Sequence, residues 1–330
     1  MELPWFGRVQ PGDTYYYTPL TVNNLGIVDT YDDTLYAHVY HEGQAKKGGN
    51  NVASLLIKQL IYLGWMDGNY LSHPYPLAEL NVFFDNCPGQ NKNNHVLRLV
   101  PYLVEIGVFQ TVNFNFLVAG HTKNVCDWMF NLMKARYRQS QAHSMKELVE
   151  LLQTTEKVIV LELEENDMKD YDKYLQYFYR RLPKVENLHC FECKKHHPSN
   201  NEKEIYMTIR RDSLEDAPVI DFNVIKRGFK GRDNYPKGTV GMIQAVANRK
   251  RIMEQTEIEV LEAPGINPYK QVELFRKYRC LIDEKVQDIT CPEPSKEVFE
   301  LVEKEVDYNK KKKAQKKVMM IDLKKNICNL

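Results

Sequence analysis

The sequence is short of the features that settle a protein's class at once. No apolar run approaches the roughly 20 residues that span a bilayer, so no membrane partner is expected. The opening Met1-Glu2-Leu3-Pro4-Trp5-Phe6-Gly7 has neither a basic n-region nor an apolar h-region, so no signal peptide is read. Net charge is only +1, and no global field points to nucleic acid or membrane. Seven cysteines, an odd number scattered over 330 residues, do not make a secreted disulfide framework. Reduced thiols and an intracellular location follow as the expectation. The glycine-rich connection from Glu42 to Asn51 lacks the G-x-x-x-x-G-K-[ST] spacing of a phosphate-binding loop. No internal repeat is present. What remains is an ordinary globular composition, 43% hydrophobic and 27% charged, long enough for about two domains.

Taken in order, residues 1–14 are rich in turn formers and read as a loop. Tyr15 to Val28 is aromatic and β-branched, a strand with a kink at Asn23-Asn24 and Gly26. Asp29 to Asp33 is a turn and Thr34 to His41 a second strand, making an antiparallel hairpin. Apolar residues at 52, 55, 56, 60 and 63 have helical spacing, ending near Gly64. Leu80 to Asp85 is a strand, then a polar turn, then a helix capped by Asn93 or Asn94 with Pro101 inside it. Thr111 to Val118 alternates as a strand, and a third helix carries Val125, Trp128, Met129, Leu132 and Met133. The first 140 residues thus read β-β-α-β-α-β-α, a mixed sheet flanked by helices and partly parallel. Ser144-Met145-Lys146-Glu147 opens a helix as a capping box. Lys157 to Leu163 reads as a strand and Asp167 to Leu182 as a helix. Asn187 to Pro198 breaks the pattern, and strand-like pieces follow at 205–210 and 219–225.

Asp85 stands where a strand stops, which is where open α/β sheets bind ligands, though Asp is also an ordinary turn residue. Asp127 falls in the first turn of the third helix and shares a face with Asn131 and Lys134, away from the apolar side. It could also be there for the helix dipole. If the sheet is parallel here, the two carboxylates meet at its edge as a phosphoryl-transfer site requires, with Mg²⁺ or Mn²⁺ as the hard cation. His121, in a Gly-His-Thr-Lys loop, could orient a water or meet phosphate. Lys92 and Lys123 lie in loops beside the two acids and could meet a phosphate backbone, or be solvated lysines. Cys190, Cys193, His196 and His197 are zinc-ligand types, too closely spaced for an ordinary finger; Zn²⁺ and a solvated loop both remain open. The loop from Lys226 to Lys237 interleaves Lys226, Arg227, Lys230 and Arg232 with Phe229 and Tyr235, which suits nucleic acid or simply a solvated loop. The lysines at 310–317 read as a nuclear localisation signal, a nucleic-acid-binding tail or a disordered one.

Three stretches together carry a resemblance. They are Tyr40-His41-Glu42-Gly43-Gln44-Ala45-Lys46-Lys47-Gly48-Gly49-Asn50-Asn51, Asp85-Asn86-Cys87-Pro88-Gly89-Gln90-Asn91-Lys92-Asn93, and Gly120-His121-Thr122-Lys123-Asn124 with Asp127 and Phe130. They resemble an uncharacterised eukaryotic, transposon-derived family with a ribonuclease H-like, DDE-type transposase or integrase domain. Gln10 to Tyr16, Gly26 to Asp29 and, more weakly, Pro264-Gly265-Ile266 through Leu274 resemble it too. The resemblance implies metal-dependent phosphoryl transfer on DNA, with Asp85 as second and Asp127 as third catalytic acid. It places the first acid on a strand just upstream of Leu3-Pro4-Trp5-Phe6, where this sequence starts, so the first strand is expected to be missing. Glu42 and Asp29, at hairpin strand ends, are the substitute acids. The expected layout is a ribonuclease H-like α/β domain at 1–185, a small subdomain at 186–260 and a helical, lysine-rich tail at 261–330. DNA is the expected partner, self-association is left open, and a nuclear location is expected. The competing expectation is a non-catalytic DNA-binding or scaffolding protein derived from such an element.

Overall fold

The hairpin forms as its alternation predicts. Strands β2 (Leu20–Asp29) and β3 (Thr34–His41) pair antiparallel from Val22↔His41 to Asp29↔Thr34. Its turn is built by two aspartates: Asp29 Oδ1 accepts the Tyr31 N–H at 2.9 Å and Asp32 Oδ1 the Thr34 N–H at 3.0 Å. The expected start at Tyr15 is corrected. Pro11-Gly12-Asp13 begins a 3₁₀ turn over Gly12–Tyr16, closed by the Thr14 hydroxyl on the Pro11 carbonyl at 2.6 Å. The opening loop is corrected as well, because Glu2–Leu3 forms a short strand β1 antiparallel to β2.

In this computed structural model the described residues are 1–67, 70–71, 77–118, 125–196, 205–211, 218–226, 249 and 251–306. They divide into two compact units, neither continuous in sequence. The first comprises Met1–Gln44, Cys126–Glu162 and Pro264–Leu330; the second comprises Ala45–Val125 and Leu163–Ala263. The block 1–185 of the sequence reading contributes to both.

The first unit holds a four-stranded sheet in the order β1-β2-β3-β8, where β8 (Val158–Glu162) runs parallel to β3. On one face Leu35, Ala37 and Val39 of β3 join a core with Met129, Met133 and Tyr137 of helix α4 (Val125–Gln139). Helix α5 (Met145–Gln153) adds Leu148 and Leu152. Its capping box is seen, with a difference: Ser144 Oγ accepts the Glu147 N–H at 3.3 Å, while Glu147 reaches back to the His143 N–H at 2.7 Å. The segment Pro264 to Glu273 lies on the end of β3, with the Gly265 N–H donated to the Gly43 carbonyl at 3.0 Å.

The second unit holds a five-stranded sheet in the order β11-β10-β9-β7-β6. Strands β6 (Leu77–Phe84) and β7 (Phe109–Phe116) are parallel neighbours, as the βαβ reading predicts. Strands β9 (Cys190–Lys194), β10 (Tyr206–Arg210) and β11 (Val219–Asn223) follow as an antiparallel meander. A short antiparallel pair, β4 (Met66–Asp67) and β5 (Tyr70–Leu71), lies before β6. Helix α1 (Gly49–Tyr62) ends in a Schellman turn: Trp65 N–H bonds the Leu60 carbonyl and Gly64 N–H the Ile61 carbonyl, with Gly64 at φ +71°. The expected helix with an internal proline is split at Arg98 into α2 (Asn94–Leu97) and α3 (Leu99–Glu105), since Pro101 has no N–H for the Leu97 carbonyl. Helix α6 (Tyr171–Phe178) is shorter than the sequence pattern. These helices bury Val52, Val96, Leu99, Tyr102, Tyr174 and Phe178 with Val112, Phe114 and Phe191 of the sheet.

Hairpin and βαβ unit, expected in one sheet, lie in two separate mixed sheets. The outer edge of β3 is taken by β8, and β7 is flanked by β9, so the two blocks grow by different partners. The Cys190 segment, read as a loop, is the strand β9.

Candidate functional site

Asp85 follows the last residue of β6 with its side chain exposed. The loop after it is organised by backbone and amide groups. The Cys87 carbonyl accepts N–H groups of Gln90, Asn91 and Lys92 at 3.3, 2.8 and 3.0 Å. Asn91 Nδ2 donates to the Asp85 carbonyl at 3.3 Å. Asn93 is the hub. Its Oδ1 caps α2 by accepting His95 and Val96 N–H at 3.0 and 3.2 Å, and its Nδ2 donates to the Pro88 and Gln90 carbonyls at 3.1 and 3.0 Å. Asn94 pairs with Leu182, donating to its carbonyl at 3.2 Å and accepting its N–H at 2.7 Å.

The Gly-Gly-Asn-Asn run has a matching architectural task. A Cβ on Gly49 would lie 2.4 Å from Asn93 Oδ1, so only glycine lets α1 start against the capped loop. Asn50 Nδ2 donates to Asp170 at 2.8 Å, and its Oδ1 accepts the Asp172 N–H at 3.0 Å. Lys58 pairs with Asp167. Asp172 in turn receives Arg98 at 2.6 Å and lies 2.7 Å from His95 Nδ1, out of line for a directional hydrogen bond. These groups hold the loop that presents Asp85.

Lys92, expected as a phosphate contact or else a solvated lysine, is buried in the loop. It is 4% exposed, donates to the Glu186 carbonyl at 3.0 Å, and sits 5.8 Å above the Phe116 ring. Burial lowers its pKa, with Glu186 opposing. In this conformation its ammonium is a strut of the loop and not a surface contact for phosphate.

In the first unit, Asp127, Asn131 and Lys134 are all exposed on α4, as the spacing predicts. The apolar stripe is rotated from expectation: Met129, Met133 and Tyr137 are buried, while Trp128 is 58% exposed. Cys126 donates to the Gly26 carbonyl at 3.6 Å, and burial, helped by Asp127, pushes its thiol up to about 11. Glu42 is not a free acid. Its Oε1 accepts Lys270 Nζ at 2.5 Å and the Thr21 N–H at 2.7 Å. Burial raises its pKa, but Lys270 and Thr21 outweigh that and the net shift is downward. Asp29 likewise serves the hairpin turn.

Cys190 and Cys193 are three residues apart on β9, so their side chains leave opposite faces and do not form one chelate. Cys193 is in the core, where burial raises its thiol pKa, and His196 is exposed beyond the strand. Among the described residues no three His, Cys, Asp or Glu side chains group as a metal site. Lys226 is exposed after β11. His121, Lys123, His197, Arg227, Lys230, Arg232 and the lysine run at 310–317 lie outside the described residues. Among the described residues no helix is long and apolar enough to cross a membrane.

One exposed group went unnoticed in the sequence. Phe83 is 66% exposed on the face of β6 opposite Leu80, Val82 and Phe84. The signal was present, because adjacent residues of a strand cannot share a face.

The fold and the presented carboxylate define a mixed α/β protein with two mixed sheets flanked by helices. The chain belongs to the family described as a domain of unknown function (DUF7869), whose model matches residues 18–211. No curated protein and no solved structure matches it.

Proposed function

We propose that the chain is a ribonuclease H-like protein of transposase or integrase type that carries out metal-dependent phosphoryl transfer on DNA. The carrying observation is Asp85: an exposed carboxylate at the carboxyl end of a parallel strand pair, on a loop braced by Asn91, Asn93, Asn94 and Lys92. Asp127, exposed in the first turn of α4, is a further exposed carboxylate and belongs to the first unit. Mg²⁺ is ordinarily held by one or two carboxylates with substrate phosphates and waters completing its shell, and Asp85 is of the ligand type it takes. The cation, when bound, would neutralise developing charge on the phosphoryl oxygens. The chain's own part is to present Asp85 at the strand end on a braced loop.

One observation favours the second reading, a non-catalytic DNA-binding protein. Both substitute first acids are committed elsewhere, Glu42 to Lys270 and Asp29 to the hairpin turn. Incubation of labelled DNA with the full chain and Mg²⁺ or Mn²⁺ separates the two. Cleavage that disappears in Asp85→Ala supports the enzyme. Binding without cleavage at any divalent concentration rejects it in favour of the second reading.

A further inference from the structure

The five-stranded sheet has one apolar face and one polar face. Leu80, Val82, Phe84, Val112, Phe114, Phe116, Phe191, Met207 and Ile209 meet the helices of the second unit. The alternate residues face the other way; Phe109 and Leu77 at the strand starts still reach the core, but the residues from Asn81 and Asn113 onward do not belong to it. Register sorts them into rows across the strands. The row nearest Asp85 is Phe83, Asn115, Cys190, Arg210 and Val219. The next is Asn81, Asn113, Glu192, Thr208 and Asp221.

The two rows differ in chemistry. Acids in the second row and beyond it are engaged within the sheet. Glu192 pairs with Lys194 at 3.0 Å, Asp221 accepts Thr208 at 2.9 Å, and Glu79 accepts Asn113 at 2.6 Å. The first row has no acid. It offers a largely exposed aromatic ring, an amide and one guanidinium. Asp85 lies two residues beyond Phe83 on the same strand.

We propose that this row is a platform for single-stranded DNA, in which Phe83 stacks a base, Arg210 meets a phosphate, and the strand runs on towards Asp85. The proposal deepens the phosphoryl-transfer reading by naming its substrate as an unpaired strand. A ring on a flat sheet can stack only on a base released from a duplex, and aromatic stacking beside cations is how unpaired strands are held. Phe83 and Arg210 are three strand spacings apart, about 14 Å, room for roughly four stacked nucleotides. Positive charge in the acid-free row complements the phosphates.

The test is anisotropy of a dye-labelled oligothymidine of about a dozen nucleotides with the full chain in EDTA, where no cleavage can interfere. The oligothymidine should bind in preference to a duplex of equal length. Phe83→Ala should weaken it roughly 5- to 150-fold, the range for loss of one stacked base, and Phe83→Trp should retain binding. Arg210→Ala should weaken it and lower the salt slope by about 1. Tyr31→Ala, an exposed aromatic in the hairpin turn, should change nothing. No binding, preference for duplex, or a Phe83→Ala effect no larger than that of Tyr31→Ala overturns the platform. Metal-dependent cleavage with Phe83-independent binding sinks the platform alone. Phe83-dependent binding with no cleavage upholds the platform and sinks the enzyme.

Discussion

Glu105, at the end of α3, and Arg249 make the most demanding electrostatic pair in the second unit. Both side chains are 3% exposed, and Arg249 Nε meets Glu105 Oε1 at 2.6 Å. The other carboxylate oxygen accepts the Tyr179 hydroxyl at 2.7 Å, and Tyr179 is itself fully buried. Arg249 Nη1 has no hydrogen-bond partner, so the ion pair carries a polar atom it does not satisfy. Removing one member of such a pair strands the other charge in the interior, at about 3–5 kcal/mol. Glu105→Met also orphans the Tyr179 hydroxyl, adding about 1–3 kcal/mol. Replacing both charges by methionine removes the uncompensated ion, and such swaps are neutral to stabilising by about 1–4 kcal/mol. The expectation is therefore an ordering. Arg249→Met lowers stability by roughly 6–20 °C in Tm for a unit of this size, and Glu105→Met, which also orphans the Tyr179 hydroxyl, by roughly 8–32 °C. The double variant recovers most of that loss. Thermal and urea unfolding followed by far-UV circular dichroism, fitted without assuming one transition, measures all four proteins. A double variant as unstable as the sum of the singles would falsify the reasoning, because the coupling would then be nil.

Two further outcomes rest on the loop and on the docked late segment. Gly49→Ala should cost about 1–3 kcal/mol by forcing a methyl onto Asn93, and Asn93→Ala about 1 kcal/mol through the lost cap; the double variant should unfold in urea less easily than their sum implies, since the clash is gone. Glu42 has its pKa depressed on folding, so its pairing with Lys270 contributes stability above the ordinary value of 4.5 and loses it as pH falls through the folded value. Amide protection at residues 264–273, corrected for the intrinsic pH dependence of exchange, should fall selectively on acidification, and Glu42→Gln should abolish that change; protection that stays flat with pH in the parent protein would reject the link.

Local grammar was legible. The hairpin, the Asn93 cap and the Ser144 cap are written in neighbouring residues, and they form where their side chains predict. Strand partnership was not, because β3 takes β8 from more than 100 residues away, and nothing near Thr34–His41 marks that choice. The alternation in Cys190-Phe191-Glu192-Cys193-Lys194 was hidden by its ligand-like residue types, which suggested chelation where the backbone is a strand. In the candidate site, residue identity pointed to the polar loop but not to the division of labour within it. Lys92 looks like a contact for a ligand in sequence, yet burial and hydrogen bonding make it a support of the loop that presents Asp85. Glu42 looked like an acid at a strand end because Lys270, its partner, lies more than 200 residues on.

The interleaving of the two units has a practical consequence for dissecting the chain. A fragment stopping at residue 185 would lose β9, β10 and β11, stripping β7 of one neighbour and uncovering Phe114 and Phe116. A fragment cut to the family match would end at Arg211, immediately after β10, and would also omit Lys270, Leu274 and Tyr278 from the first unit. Neither boundary is a seam. Limited proteolysis of the intact chain should therefore leave nicked halves that stay associated, and soluble expression should be sought with both passages of each unit kept on one polypeptide.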